Sequence, residues 1–140
     1  MSDGSDFLRS MSIATSGLRA QAGRMRVISE NIANADSTAK TVGGDPYRRK
    51  VPTFSSELDR TLGARVVALG KIKADTSDFR VKHEPGNPAA DASGNVKYPN
   101  VNSLVEMTDM REAQRSYEAN LNIISATRRM IQRTLDILKS

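Results

Sequence analysis

Residues 103–138 read SLVEMTDMREAQRSYEANLNIISATRRMIQRTLDIL, and the spacing of their side chains decides the fold. Met107, Met110, Gln114, Tyr117, Leu121, Ile124, Arg128, Ile131, Leu135 and Leu138 follow one another in alternating steps of three and four. Steps averaging about 3.5 residues keep one stripe of a helix turned toward a partner helix along its whole length, the coiled-coil pattern. Only Gln114 and Arg128 interrupt the apolar seam. Ser103 and Glu106 stand as S-x-x-E ahead of the run, which predicts a capping box at the helix start. Glu106, Asp109, Glu112 and Glu118 lie in the first half, and Arg128, Arg129, Arg133 and Lys139 in the second, an order that suits the helix dipole. Such a helix is roughly 54 Å long at about 1.5 Å per residue. A compact domain of this size cannot cover it, so it needs partners.

The other end of the chain repeats the pattern. Ser5 is positioned to cap a helix beginning near Asp6, whose seam reads Phe7, Met11, Ala14, Leu18, Gln21, Met25, Ile28 and Ile32. Two heptad segments at opposite termini predict a mainly α protein in which the terminal helices pair as an antiparallel coiled coil. Residues 1–36 plus 101–140 form that discontinuous helical domain, and residues 37–100 form an extended loop with a small β-containing module. The competing reading is a globular bundle holding two unrelated amphipathic helices. Each helix also carries a second apolar column, Ile13, Ala20 and Val27 on the first and Ile123, Met130 and Ile137 on the second. A two-helix hairpin buries one stripe of each helix and leaves the other in water, unfavourable by about 1.5–3 kcal/mol per large side chain. Packing against other copies or other chains removes that penalty, so the pattern predicts a subunit of something larger.

Between the helices the sequence changes character. Asn34, Asp36, Ser37 and Thr38 favour caps and turns, and Gly43-Gly44-Asp45-Pro46 breaks any helix. Tyr47 to Phe54 reads as extended, with Pro52 arguing against a central strand. Residues 55–62 are compatible with a short helix or a loop. Strand signals follow at Arg65 to Leu69, Lys71 to Lys73 and Phe79 to Lys82, and the break at Asp75 to Asp78 predicts a hairpin there. Asn95 to Tyr98 reads as a short third strand.

Composition excludes several chemistries. The 140 residues contain no Cys, no Trp and a single His, with a net charge of +5. Disulfides and thiolate ligands are ruled out, no Cys or second His is available for a zinc cluster, and His83, between Lys82 and Glu84, has no catalytic motif around it. Gly43-Gly44 lacks the Lys-Ser/Thr of a phosphate loop, and Asp91 to Asn95 lacks the alternating acids of a calcium loop. No catalytic, cofactor-binding or metal-binding residue emerges, and the expectation is not an enzyme. The basic excess falls in residues 37–100, with eleven bases against seven acids, and is spread rather than gathered on one face. That argues for a solvated surface over nucleic-acid binding. Tyr47-Arg48-Arg49-Lys50 is one basic-aromatic cluster, and packing or ion pairing is its favoured role. No run reaches the roughly 18–20 apolar residues of a membrane span. The opening MSDGSDFLRS carries acids where a cleavable secretory signal has bases.

With the chain read through, its motifs resemble one family, the flagellar basal-body rod proteins, in particular proximal-rod subunits of the FlgC type. Asn31-Ile32-Ala33-Asn34, followed by Thr38, resembles the N-x-A-N signature shared by rod and hook proteins. Gly44-Asp45-Pro46-Tyr47-Arg48-Arg49-Lys50 is similar to the G-x-P-Y-x-R-K stretch of the proximal-rod subunit. Pro99-Asn100-Val101-Asn102, Glu106-Met107-Thr108-Asp109-Met110 and Ala113 to Asn120, with Tyr117, Ala119 and Asn120, resemble its P-N-V-N, E-M-x-D-M and A-x-R-x-Y-x-A-N segments. Asn87 and Asn95 depart from it, where the family often has His and Tyr. The resemblance implies a structural subunit whose terminal helices pack into the wall of the rod and which self-assembles with other rod proteins to transmit torque. The two apolar columns read above supply two sets of assembly contacts for such a subunit. The seam comprises Met11, Leu18, Met25, Ile28, Ile32, Met107, Met110, Tyr117, Leu121, Ile124, Ile131, Leu135 and Leu138. The second lateral stripe comprises Ile13, Val27, Ile123, Met130 and Ile137. The resemblance further implies export without a cleaved signal through the flagellar type III apparatus, a place in the periplasmic rod, and neighbours at the junction with the membrane ring. A cytoplasmic helical adaptor or chaperone, or a small basic nucleic-acid-binding protein, is the alternative.

Overall fold

The computed structural model describes the backbone of residues 2–140 and side chains from residue 4 onward. Two long helices bracket six short strands: α1 (Ser2–Ala33), β1 (Lys50–Val51), β2 (Phe54–Asp59), β3 (Ala64–Leu69), β4 (Lys73–Ala74), β5 (Arg80–His83), β6 (Asn95–Tyr98) and α2 (Ser103–Lys139). The strands form three separate antiparallel pairs, β1 with β4, β2 with β3 and β5 with β6. The chain divides into two compact units, and both helices run through each of them.

The first unit holds residues 1–25, 53–71 and 112–140. Here α1 and α2 pack against each other antiparallel. Phe7 and Leu8 line a groove with Ile131 and Leu135, Gly17 faces Asn120, and Arg24 reaches Glu112 at 3.5 Å. Ala113 and Thr127 are buried, and Tyr117, Ile124 and Ile131 are half-buried. Small side chains at this face bring the helices close. The β2–β3 hairpin turns at Gly63, whose φ of 61° is open to glycine at little cost. Its strand β3 lies along the Ser16–Ala20 side of α1, where the Ser16 hydroxyl accepts the Val67 N–H and Leu69 fills the space above Gly23. Ala20, from the second column of α1, is buried there.

The second unit holds residues 26–52 and 72–111. Val27, Ile28 and Asn31 of α1 are buried, as are Val101 and Glu106. The β5–β6 pair builds a small core of Ala89, Val96 and Tyr98. Gly94 turns into β6 with a φ of 79°, and Asp91 Oδ1 accepts the N–H groups of Ser93 and Asn95 to hold that turn.

Several expectations need correcting. The first helix begins at Ser2, three residues before Ser5, whereas Met1 lies outside the described residues. Ser103 does not cap α2. Asn102 does, its Oδ1 accepting the N–H groups of Leu104 and Val105, and Glu106 turns inward instead of back to the cap. Residues 55–62 are neither helix nor loop in the main, because β2 occupies Phe54–Asp59. The hairpin expected across Asp75–Asp78 does not form. Arg48 and Asn100 bond the carbonyls of Asp75 and Ser77, and the strands on either side pair elsewhere, β4 with β1 and β5 with β6.

Candidate functional site: a polar clamp on the helix pair

The motif residues converge in the second unit. Asn31 stands near the C-terminal end of α1, fully buried, with all of its amide's principal bonds made. Its Nδ2 donates to the Lys50 carbonyl at 2.8 Å and to Glu106 Oε2 at 3.1 Å. Its Oδ1 accepts the Tyr47 hydroxyl at 2.7 Å and the Lys50 N–H at 2.9 Å. The side chain thus pairs with residue 50 as a neighbouring strand would, which fixes the extended strap of residues 47–51 against α1.

The strap is tied to α2 by charge. Arg49 Nε donates to Glu106 Oε1, and its guanidinium also lies 3.4 Å from Asp75 and 3.8 Å from Asp109. Glu106 is 1% exposed, so its carboxylate is compensated wholly by Arg49 and Asn31. Burial alone would lower the Arg49 pKa, but the hydrogen bond and charge of Glu106, with Asp75 behind them, raise it above its ordinary value. Burial, with Glu30 and Glu106 nearby, pushes the Tyr47 phenol up to about 12. The Ser77 N–H and hydroxyl hold the Asp75 carboxyl below its ordinary value, with Arg49 adding to them. Asn100 closes the arrangement by accepting the Arg49 N–H at 2.8 Å and donating to Asp75 and Ser77. Pro46 and Pro99 are buried on either side of these segments. Arg48 lies over the Phe79 ring, and Lys50 pairs with Glu30 at 2.5 Å.

This arrangement positions chain segments, and no grouping of three or more His, Cys, Asp or Glu among the described residues could hold a metal. Of the motif residues, Asn31, Pro46, Tyr47, Arg49, Pro99, Asn100 and Glu106 meet here. Asn34 bonds the Glu30 carbonyl at the end of α1, and Ala33 and Thr38 are exposed. Tyr117, Ala119 and Asn120 belong to the other unit, where Asn120 faces Gly17. In the sequence Asp75 reads only as part of a turn, and Lys50 as a member of the basic-aromatic cluster, so neither reading foresees their places in the clamp. A signal for the inward turn of α2 did exist, since Glu106, Ala113, Asn120 and Thr127 recur every seven residues beside the apolar seam.

The apolar positions divide differently. Met11, Leu18, Met25, Ile32, Met110, Tyr117, Ile124 and Ile131 are half-buried, and Ile28 and Val27 are buried. Ile13, Met107, Leu121, Ile123, Met130, Leu135, Ile137 and Leu138 are exposed, Leu121 by 45% and Leu138 by 77%.

Comparison with known proteins matches this pattern to one family. Residues 11–39 match the family described as flagella basal body rod protein, and residues 92–137 match the C-terminal region of flagellar basal body rod FlgEFG proteins. The chain is 56% identical to the flagellar basal-body rod protein FlgC of Agrobacterium fabrum, covering 91% of this chain and 92% of that one. The chain belongs to the FlgC family of flagellar basal-body rod proteins. The FlgC protein of Bacillus subtilis is 41% identical, with 93% of this chain and 97% of that one covered. That of Salmonella typhimurium is 37% identical over 89% and 92%. FlgC-family membership makes the chain a structural rod protein, and the clamp is read accordingly as a device that shapes a subunit.

Proposed function

We propose that this chain is a structural subunit of the bacterial flagellar basal body that self-assembles with copies of itself and other rod proteins into the proximal rod, which transmits torque. The observation that carries this reading is the exposed apolar surface of α2, the column Ile123, Met130 and Ile137 together with Leu121, Leu135 and Leu138, in a family of rod proteins. A helix that presents such side chains to water gains from neighbours that cover them. In the rod, residues 1–36 and 101–140 pair as an antiparallel coiled coil in the tube wall, and residues 37–100 form the extension. The heptad steps and the face-to-face positions of Gly17 and Asn120 support that pairing. The family resemblance extends the reading to a periplasmic location, export without a cleaved signal through the flagellar type III apparatus, and contacts at the junction with the membrane ring. Among the described residues no helix is long and apolar enough to cross a membrane.

Electron microscopy of basal bodies from a deletion strain, with motility scored, tests this. Rings without rod, hook or filament, restored by the intact gene but not by Leu121→Asp, are the expected result. Complete basal bodies in swimming deletion cells would refute it.

A further inference from the structure

A helix pair whose apolar positions recur every seven residues has a register problem. Met110, Tyr117, Ile124 and Ile131 are spaced by seven, so sliding α2 along α1 by one heptad puts apolar side chains back over apolar side chains. Ala113, Asn120 and Thr127 are spaced by seven as well. Glu106 breaks the equivalence. It is the one charged member of its stripe, it is buried, and its two partners are supplied by Asn31 of α1 and Arg49 of the strap. After a slip of one heptad its carboxylate loses the amide of Asn31, and Ala113 or the residues before α2 stand in its place.

We infer that Glu106 is the positioning residue that selects the axial register of α2 against α1. A buried polar group that is satisfied in one alignment alone discriminates by penalising the others. The partners of Glu106 keep most of their bonds without it. Asn31 keeps Lys50 and Tyr47, and Arg49 keeps Asp75 and Asp109. Removing the carboxylate therefore frees one Asn31 amide N–H and the Arg49 Nε–H, leaves the rest of the clamp in place, and erases the discrimination. The consequence for a subunit is geometric. A heptad slip moves the exposed apolar side chains of α2 by about 10 Å along its axis, which would misplace every contact they make.

The absence of Cys makes disulfide trapping clean. A β-carbon at position 17 would lie 2.9 Å from the Asn120 amide, so Gly17→Cys with Asn120→Cys reports the native register. Gly17→Cys with Ala113→Cys, or with Thr127→Cys, reports the slipped ones. Each pair is placed in the full-length chain carrying Glu106, Glu106→Leu or Glu106→Gln, with helicity followed by circular dichroism. The native pair should dominate with Glu106. With Glu106→Leu the helicity should persist while the slipped pairs rise at least about tenfold, the scale on which a lost buried polar discrimination acts. Glu106→Gln, which still accepts from Asn31, should restore the preference. Unchanged trapping in Glu106→Leu would overturn the inference. Loss of helicity in that variant would do so too, because the carboxylate would then be supplying stability rather than selectivity.

Discussion

At the scale of single residues, the clamp is asymmetric in what its members need. Glu106 is buried beyond the reach of water, and among the described residues Arg49 supplies its only positive partner. Arg49→Met leaves an uncompensated buried carboxylate and should destabilise the protein by about 3–5 kcal/mol, read as a lowered urea midpoint. Tyr47 acts through its hydroxyl. Tyr47→Phe removes one of the two bonds to Asn31 Oδ1, while the Lys50 N–H keeps the other, and should cost about 1 kcal/mol at neutral pH. The same phenol predicts an alkaline limb. Its folded pKa, about 12, stands above its ordinary value of 10, so the fold favours the protonated form. That contribution is complete below pH 10 and is lost as pH rises through about 12. Denaturation midpoints across this window should fall more steeply for the parent than for Tyr47→Phe, and equal slopes would count against the assignment. The motif residues were legible one by one, but their convergence was not, because Asn31 and Glu106 are separated by 75 positions. Glu106 was also claimed by a plausible local pattern, the S-x-x-E box, and a buried ion pair outbid that local bond.

At the scale of elements, periodicity and pairing behaved differently. The helices were legible because a 3.5-residue repeat is a local signal that survives for thirty residues or more, and the chain is helical over Ser2–Ala33 and Ser103–Lys139. Strand partners were not, because a strand's sequence records that it is extended and half-exposed but not which other strand it meets. β3 was correctly placed near Arg65–Leu69, yet its partner β2 lay in residues that could equally be read as a helix. The cap of α2 follows the same logic on a smaller scale. Asn102 and Ser103 are both good caps, and the choice falls to Asn102 because its side chain meets two free N–H groups. Asn102→Ala should therefore lower stability by about 1 kcal/mol, whereas Ser103→Ala should change it by less than about 0.5 kcal/mol. Thermal unfolding of the two variants side by side checks the order, and a larger loss from Ser103→Ala would restore the capping box.

At the scale of the whole molecule, the two helices differ in how much of their apolar surface the chain itself covers. On α1, Ala20 and Val27 of the second column are buried, and β3 lies beside Ala20. On α2, Ile123, Met130 and Ile137 are exposed, and so are Leu121, Leu135 and Leu138 of the first column. The heptad spacing could not reveal this division, since both columns read alike in sequence and one residue's rotation, about 100° at 3.6 residues per turn, decides which faces inward. Neighbouring positions should consequently answer to different tests. Leu121 is exposed and Ile124 half-buried against the helix pair. Leu121→Asp should leave the isolated subunit's unfolding within about 0.5 kcal/mol of the parent, as surface substitutions do. It should nevertheless abolish rod formation and motility, because a charge then stands where a neighbour must bury an apolar side chain. Ile124→Asp should fail at both levels, losing about 2–4 kcal/mol of subunit stability as well as assembly. Urea unfolding of the purified subunit, paired with a swimming assay, separates the two. If Leu121→Asp destabilises the subunit as severely as Ile124→Asp does, position 121 serves the fold and not the assembly, and the flank of α2 that carries it loses its meaning as a contact surface.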